Sequence, residues 1–184
     1  MKWLVLKARG LVGNKLLLYL ILIPLIDKIK IIKNILYMPF TKVYIHCVWS
    51  TKNRFPFLNS IDLRQKVWQH IKENALKKDI YLDFINGYTD HCHCLISLGT
   101  DQTIQKTVQL LKGESSYWIN KNQLTIDKFE WQDEYFPVSV SESIVDKVRD
   151  YIKNQEEHHK KKTFQEEYEE FIIKFGFSKS SKFG

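Results

Sequence analysis

The sequence predicts an α+β domain built around an antiparallel sheet. Strand-length runs of β-branched and apolar residues alternate with two long amphipathic stretches. An Asn86-Gly87 pair lies near the end of one strand-like run, just before the run that would be its hairpin partner. A further helical pattern follows the last strand.

The elements follow in order from Thr41. Lys42–Ser50 is apolar enough for a buried strand. Thr51–Leu58 is a basic loop with one proline. Ser60 caps a helix running to about Lys78, with Leu63, Val67, Trp68, Ile71 and Leu76 on its buried side. Ile80–Tyr88 alternates like a strand, and Asp90–Leu98 is its hairpin partner. Gln102–Lys121 reads as a second long helix with Ile104, Val108, Leu111 and Trp118 inward. A short strand follows at about Tyr135–Val140. Ser141-Glu142-Ser143 starts a third helix, which carries Tyr151 and Gln155, and Lys160–Phe175 is charged and helical in pattern. The order strand, helix, strand, strand, helix, strand, helix is the split β-α-β arrangement of ferredoxin-like domains with an added C-terminal helix. Helices on one face leave the other face of the sheet for a ligand or partner. The same fold hosts RNA-recognition modules, so the sites must decide the function.

Residues 1–37 differ from the rest. Leu16–Ile26 is an apolar run interrupted by Pro24, too short to span a bilayer as a helix, and no small-residue cleavage site follows it. Three readings stay open: an interfacial segment, a packed helical appendage, or upstream sequence outside the native protein. Met38-Pro39-Phe40 begins a fresh pattern, so the domain is expected over residues 38–177, with 178–184 a frayed tail. The net charge of +7 suggests a nucleic-acid partner, but seven Lys/Arg and one acid lie in residues 1–37. The remaining 21 basic and 20 acidic residues leave a net charge of only +1, so the argument must rest on local patches. Three cysteines without a CxxC spacing (Cys47, Cys92, Cys94) argue against disulfides or a zinc finger and for a reducing cytoplasm.

Two motifs carry the chemistry. His91 and His93 are two apart on a strand, so their imidazoles share a face, while Cys92, Cys94 and Ile96 take the core face. The histidines therefore face away from that core, where a ligand can reach them. Tyr151 and Gln155 are four apart on a helix and share a stripe. Two imidazoles and an amide oxygen can bind a divalent metal, with the phenol as nucleophile toward a bound phosphate. His158 and His159 can approach the same place, but their neighbours Lys160-Lys161-Lys162 read as a solvated face. Lys52 and Arg54 in the first loop, Lys106 and Lys112 on the second helix, and Trp131 as a stacking platform form a candidate track for single-stranded nucleic acid. The ordinary alternative for each is a solubilising lysine or a core tryptophan.

Four segments, Val-Trp-Ser-Thr-Lys-Asn-Arg (48–54), Asp-His-Cys-His-Cys-Leu-Ile-Ser (90–97), Val-Gln-Leu-Leu-Lys-Gly-Glu-Ser-Ser (108–116) and Tyr-Ile-Lys-Asn-Gln (151–155), resemble the single-tyrosine HUH transposases of the insertion-sequence 200 family. The likeness spans about Met38 to Phe177. It implies that His91 and His93 are the HUH pair, with Cys92 at the hydrophobic position, that Tyr151 is the nucleophile, and that Gln155 is the third ligand of Mg²⁺ or Mn²⁺. It further implies a homodimer in which active sites are shared between subunits. The expected activity is cleavage and rejoining of single-stranded DNA at hairpin-marked ends through a 5′-phosphotyrosine. The alternatives are a domesticated relative that processes chromosomal hairpin repeats, a non-catalytic RNA- or ssDNA-binding module, and a metal hydrolase that uses water.

Overall fold

The structure is a computed structural model that describes Asp27 and residues 41–175. The expectations for residues 1–37 and 178–184 therefore lie outside the described residues, apart from Asp27. The compact unit that holds the domain begins at Thr41. Its elements are β1 (Val43–Ser50), α1 (Ile61–Lys77), β2 (Tyr81–Gly87), β3 (His91–Leu98), α2 (Ile104–Lys121), β4 (Phe136–Val140), α3 (Val145–Lys153), the single turn α4 (Gln155–His158) and α5 (Phe164–Phe175). Short 3-10 turns lie at Lys52–Arg54 and Glu142–Ile144.

Local chemistry sets the ends. The Ser60 hydroxyl accepts from the Leu63 amide at 3.1 Å and starts α1. Thr103 does the same for α2, accepting from the Lys106 amide. The four strands form one sheet in the order β2-β3-β1-β4, with every neighbouring pair antiparallel. This is the α+β ferredoxin-like topology, with additional helices at its C-terminal end.

The two faces of the sheet are built differently. Ile45, Cys47 and Trp49 of β1 and Cys92, Cys94 and Ile96 of β3 pack against Val67, Ile71 and Ala75 of α1 and Val108, Leu111 and Ile119 of α2. All three cysteines are buried thiols. Leu76, expected inward, is 76% exposed. The buried stripe of α1 runs through Val67, Ile71 and Ala75 at four-residue steps, which turns the next residue outward.

The opposite face carries Leu95, packed with Val140, Val145 and Ile152 and with Tyr44, Phe84, Val148 and Tyr151 around them. The expectation of an open sheet face is thus corrected: the C-terminal helices supply a second layer there. Among the described residues no helix is long and apolar enough to cross a membrane.

Candidate active site

Strand alternation turns His91, His93 and Leu95 away from the cysteine core, as the spacing requires. The neighbouring chain fixes β3 closely. An ideal Cβ placed on Gly87 would lie 2.2 Å from the His91 carbonyl oxygen and 2.7 Å from Cys92 Cα, so only glycine fits beside β3 here. The Thr51 amide donates to the Asp90 carbonyl at 2.7 Å, and the Tyr88 amide to the His91 carbonyl at 3.1 Å.

The histidines are not accessible, contrary to expectation: His91 is 0% and His93 1% exposed. The reason is α5. Its first residue, Phe164, lies flat on His91 with ring centroids 4.1 Å apart and planes 7° from parallel. Phe136 of β4 packs on Tyr168 and Phe171 and holds the helix down. One turn in from Phe164, α5 inserts Glu167. Its carboxylate lies 3.5 Å from His93 Nε2, 3.9 Å from His91 Nε2 and 3.2 Å from His159 Nε2.

Each imidazole is oriented from behind. Asp90 Oδ1 stands 2.7 Å from His91 Nδ1, which keeps the proton on Nδ1 and the Nε2 lone pair facing Glu167. His93 Nδ1 is 3.1 Å from Nε2 of His46, a buried residue of β1. His159 Nδ1 is 2.8 Å from the Lys162 carbonyl, and its ring stacks on Tyr88. Burial disfavours the charged forms of His46, His93 and His159. It holds His46 down to about 3, helped by His93. It holds His159 down to about 4, helped by His91. His93 is pushed well below its ordinary value by burial first and then by His91, His159 and His158.

Tyr151 and Gln155 belong to two helical pieces rather than one helix, because the chain breaks at Asn154 between α3 and α4. Gln155 Nε2 still donates to the Tyr151 carbonyl, at 3.4 Å, which preserves the four-residue relation. The Tyr151 ring centroid is 5.6 Å from that of His93 and 5.4 Å from that of His158. Gln155 is fully buried, and its Oε1 is 3.1 Å from His159 Nε2. Arg64, a buried residue of α1, anchors this turn: its guanidinium pairs with Glu156 at 2.7 and 2.8 Å and donates to the Leu58 carbonyl. One chain therefore brings all four residues of the two motifs to one place.

The donor set fits a metal ion. His91 Nε2, His93 Nε2 and both Glu167 oxygens are buried without a hydrogen-bond partner. Nε2 lone pairs and a carboxylate converging with no donor between them require a proton or a cation. Burial raises Glu167 to about 7, with His91 opposing the rise. Burying Phe164 contributes about 1.5–3 kcal/mol to docking α5. An unpaired buried carboxylate works against that docking, so a charge-neutralising partner for Glu167 would tighten the seat of α5.

The proposed nucleic-acid residues are scattered. Trp131 is a core residue, 6% exposed, and its indole N–H donates to Ser115 Oγ at 2.9 Å, so the stacking-platform expectation is corrected. Lys112 donates to the carbonyls of Gln132 and Asp133 at 2.5 and 2.9 Å, which makes it a clamp on the chain before β4. Lys106 is exposed on α2, across the sheet from the histidines. Lys52 pairs with Asp133 at 2.9 Å. Arg54 alone reaches toward the site, with its guanidinium over the rings of Phe164 and Tyr168 and hydrogen-bonded to Gln165. The basic groups beside Tyr151 are instead Lys147, Lys161 and Lys162, which with Tyr151, His158 and the carboxylates of Asp150, Glu157, Glu166 and Glu170 line an open groove of about 820 Å³.

Sequence reasoning missed His46, Arg64 and Glu167, and it set His159 on the solvated face although its side chain is 2% exposed. The available signal for Glu167 was helical phase: Phe164, Glu167, Tyr168 and Phe171 fall on one stripe at i, i+3, i+4 and i+7.

Comparison with known proteins adds the following. The family profile described as "Transposase IS200 like" matches residues 39–155. The crystal structure of a candidate transposase from Deinococcus radiodurans R1 aligns with a TM-score of 0.52 at 22% identity, covering 64% of this chain and 93% of that one. A REP-associated tyrosine transposase bound to a REP hairpin aligns with a TM-score of 0.49 at 14% identity, covering 67% of this chain and 71% of that one. No curated protein matches the chain.

Proposed function

The chain belongs to the family of IS200-like transposases, and we propose that it cuts and rejoins single-stranded DNA through Tyr151. The observation that carries this reading is the position of the phenol. Its ring borders the buried histidine cluster on one side, 5.6 Å from His93, and the open groove on the other. A strand in the groove would find its phosphates within reach of Lys147 and Lys161. Lys162 is already paired with Glu170, and Asp150, Glu157 and Glu166 line the same groove, so contact with the strand is local rather than driven by a net positive field.

In this reading His91, His93 and Gln155 hold a divalent cation, Mg²⁺ or Mn²⁺, which when bound polarises the scissile phosphate and offsets its charge. Tyr151 Oη forms a bond to phosphorus as the P–O3′ bond breaks. The proton lost by the phenol is the one gained by the 3′-oxygen. The products are a 5′-phosphotyrosine and a free 3′-hydroxyl. A phenol is a workable leaving group, so attack by an incoming 3′-hydroxyl reverses the step and joins a new strand without a nucleotide cofactor. Hairpins as the recognised ends, and a homodimer that exchanges tyrosine helices, follow from the family resemblance.

The test uses single-stranded oligonucleotides copied from imperfect palindromes in the DNA flanking the gene. Incubated with the protein and Mn²⁺, they should form a covalent adduct whose peptide maps to Tyr151. Cleavage without an adduct, or an adduct on another residue, would overturn the reading.

A further inference from the structure

We propose, resting on His91 and His93 as metal ligands, that His159 and Glu167 complete a four-ligand centre and that α5 is a cover latched through the metal. One ligand atom from each of His91, His93, His159 and Glu167 lies within 4.8 Å of the others. A tetrahedral ion with bonds of about 2.1 Å places its ligand atoms about 3.4 Å apart. Glu167 Oε2 lies 3.2 Å from His159 Nε2 and 3.9 Å from His91 Nε2, and its other oxygen, Oε1, lies 3.5 Å from His93 Nε2, separations close to that spacing.

The protons of His159 strengthen the assignment. Its Nδ1 faces the Lys162 carbonyl, an acceptor only, so the ring of a neutral histidine spends its one N–H there. Nε2 is left with a lone pair, yet it faces Glu167 at 3.2 Å and Gln155 Oε1 at 3.1 Å. Three acceptors meeting at these distances are reconciled by a proton on the carboxylate or by a cation among them, and the further imidazoles of His91 and His93 on the same carboxylate favour the cation. Gln155 then stands next to the ion and can enter the ligand set when another member leaves.

Glu167 differs from the other members in how it is held. His91 and His93 sit on a strand paired on both edges, whereas Glu167 arrives on α5, a helix outside the sheet. The same helix takes up Arg54 through Phe164, Gln165 and Tyr168. A docked α5 thus occupies both the coordination position a phosphate oxygen would need and a cation a strand would use. Three imidazoles and one carboxylate favour Zn²⁺ or Co²⁺ over Mg²⁺, which takes oxygen ligands and keeps its waters.

Co²⁺ is the probe, because its visible absorption reports coordination without any cleavage. The full chain should bind one Co²⁺ with the bands of a four-coordinate ion, and millimolar Mg²⁺ should not displace it. Glu167→Gln and His159→Ala should each weaken Co²⁺ binding at least about 10-fold. Co²⁺ should slow hydrogen exchange in α5 of the wild type but not of Glu167→Gln. Glu167→Asp, which keeps the charge and changes the reach, serves as a second variant, and circular dichroism checks folding of each. Unchanged affinity together with unchanged protection of α5 would overturn the proposal. His91→Ala separates the two levels. If it alone abolishes Co²⁺ binding while Glu167→Gln does not, only the cover falls. If it too binds normally, the histidine pair is not a metal site.

Discussion

His46 Nε2 lies 3.1 Å from His93 Nδ1, buried between β1 and the helices that cover it. For His93 to present its Nε2 lone pair to a metal, it must donate its Nδ1 proton to His46, which then carries its own proton on Nδ1. His46 therefore sets the tautomer of a ligand. His46→Ala should lower metal affinity about 10- to 100-fold, while His46→Gln, which can still accept, should recover part of it. Equal affinity in the alanine variant, measured by metal titration, would show that the contact is only packing.

Tyr151→Phe should abolish covalent adduct formation and leave hairpin binding within about twofold. The ring packs beside Leu95 and Ile152, and phenylalanine preserves that packing. Denaturing gels for the adduct and gel-shift titration for binding check the two halves separately.

His91→Ala and Gln155→Ala should both reduce cleavage, the histidine change more severely, because β3 is rigid and Gln155 sits on a single turn. In the structure Tyr151 lies beside the histidines of its own chain. If subunits of the working homodimer exchange tyrosine helices, mixing Tyr151→Phe with His91→Ala should restore some cleavage through one intact shared site. No recovery in verified heterodimers would mean that each chain builds its own site.

Acidification should destabilise the metal-free protein. His46 and His159 have folded values of about 3 and 4, below the ordinary 6.5, so the unfolded chain binds protons that the folded one refuses as pH falls from about 6.5 toward 4. His93 acts in the same direction. Glu167, raised to about 7, acts oppositely, gaining its proton in the folded state first as pH falls. Three groups outweigh one, so the melting temperature in EDTA should be lower at pH 5 than at pH 7. A higher value at pH 5 would mean that Glu167 dominates.

A chain beginning at Met38 should express, fold and form the adduct as the whole chain does. The basis is the composition break and the concentration of most of the basic excess in residues 1–37. Aggregation of the shortened chain would assign the apolar run Leu16–Ile26 a place in the fold.

The sheet and its first two helices were legible because alternation, capping residues and apolar stripes are local signals. The histidine pair was legible for the same reason: a spacing of two on a strand fixes a shared face. What covers that face was not, since it depends on where a distant helix docks. Glu167 sits among Glu166, Glu169 and Glu170, and composition alone gives no reason to choose it. Trp131 and Lys112 were read as ligand contacts because an isolated aromatic or cation carries no mark of burial, and only Ser115 and the carbonyls before β4 reveal their structural use.

Strands β3 and β1 are the two inner strands of the sheet, hydrogen-bonded along both edges, and they carry His91, His93 and His46. Local opening starts in weakly packed segments, so if α5 is a metal-latched cover it should lift before these strands separate. The centre is thus made of parts with unequal lifetimes. With α5 undocked, β3 would still hold His91 and His93 on one face and β1 would still hold His46 behind His93, so recovery would need one helix to land rather than a sheet to re-form. Repeated cycles of engagement and release can then proceed without exposing the cysteine-lined core to solvent.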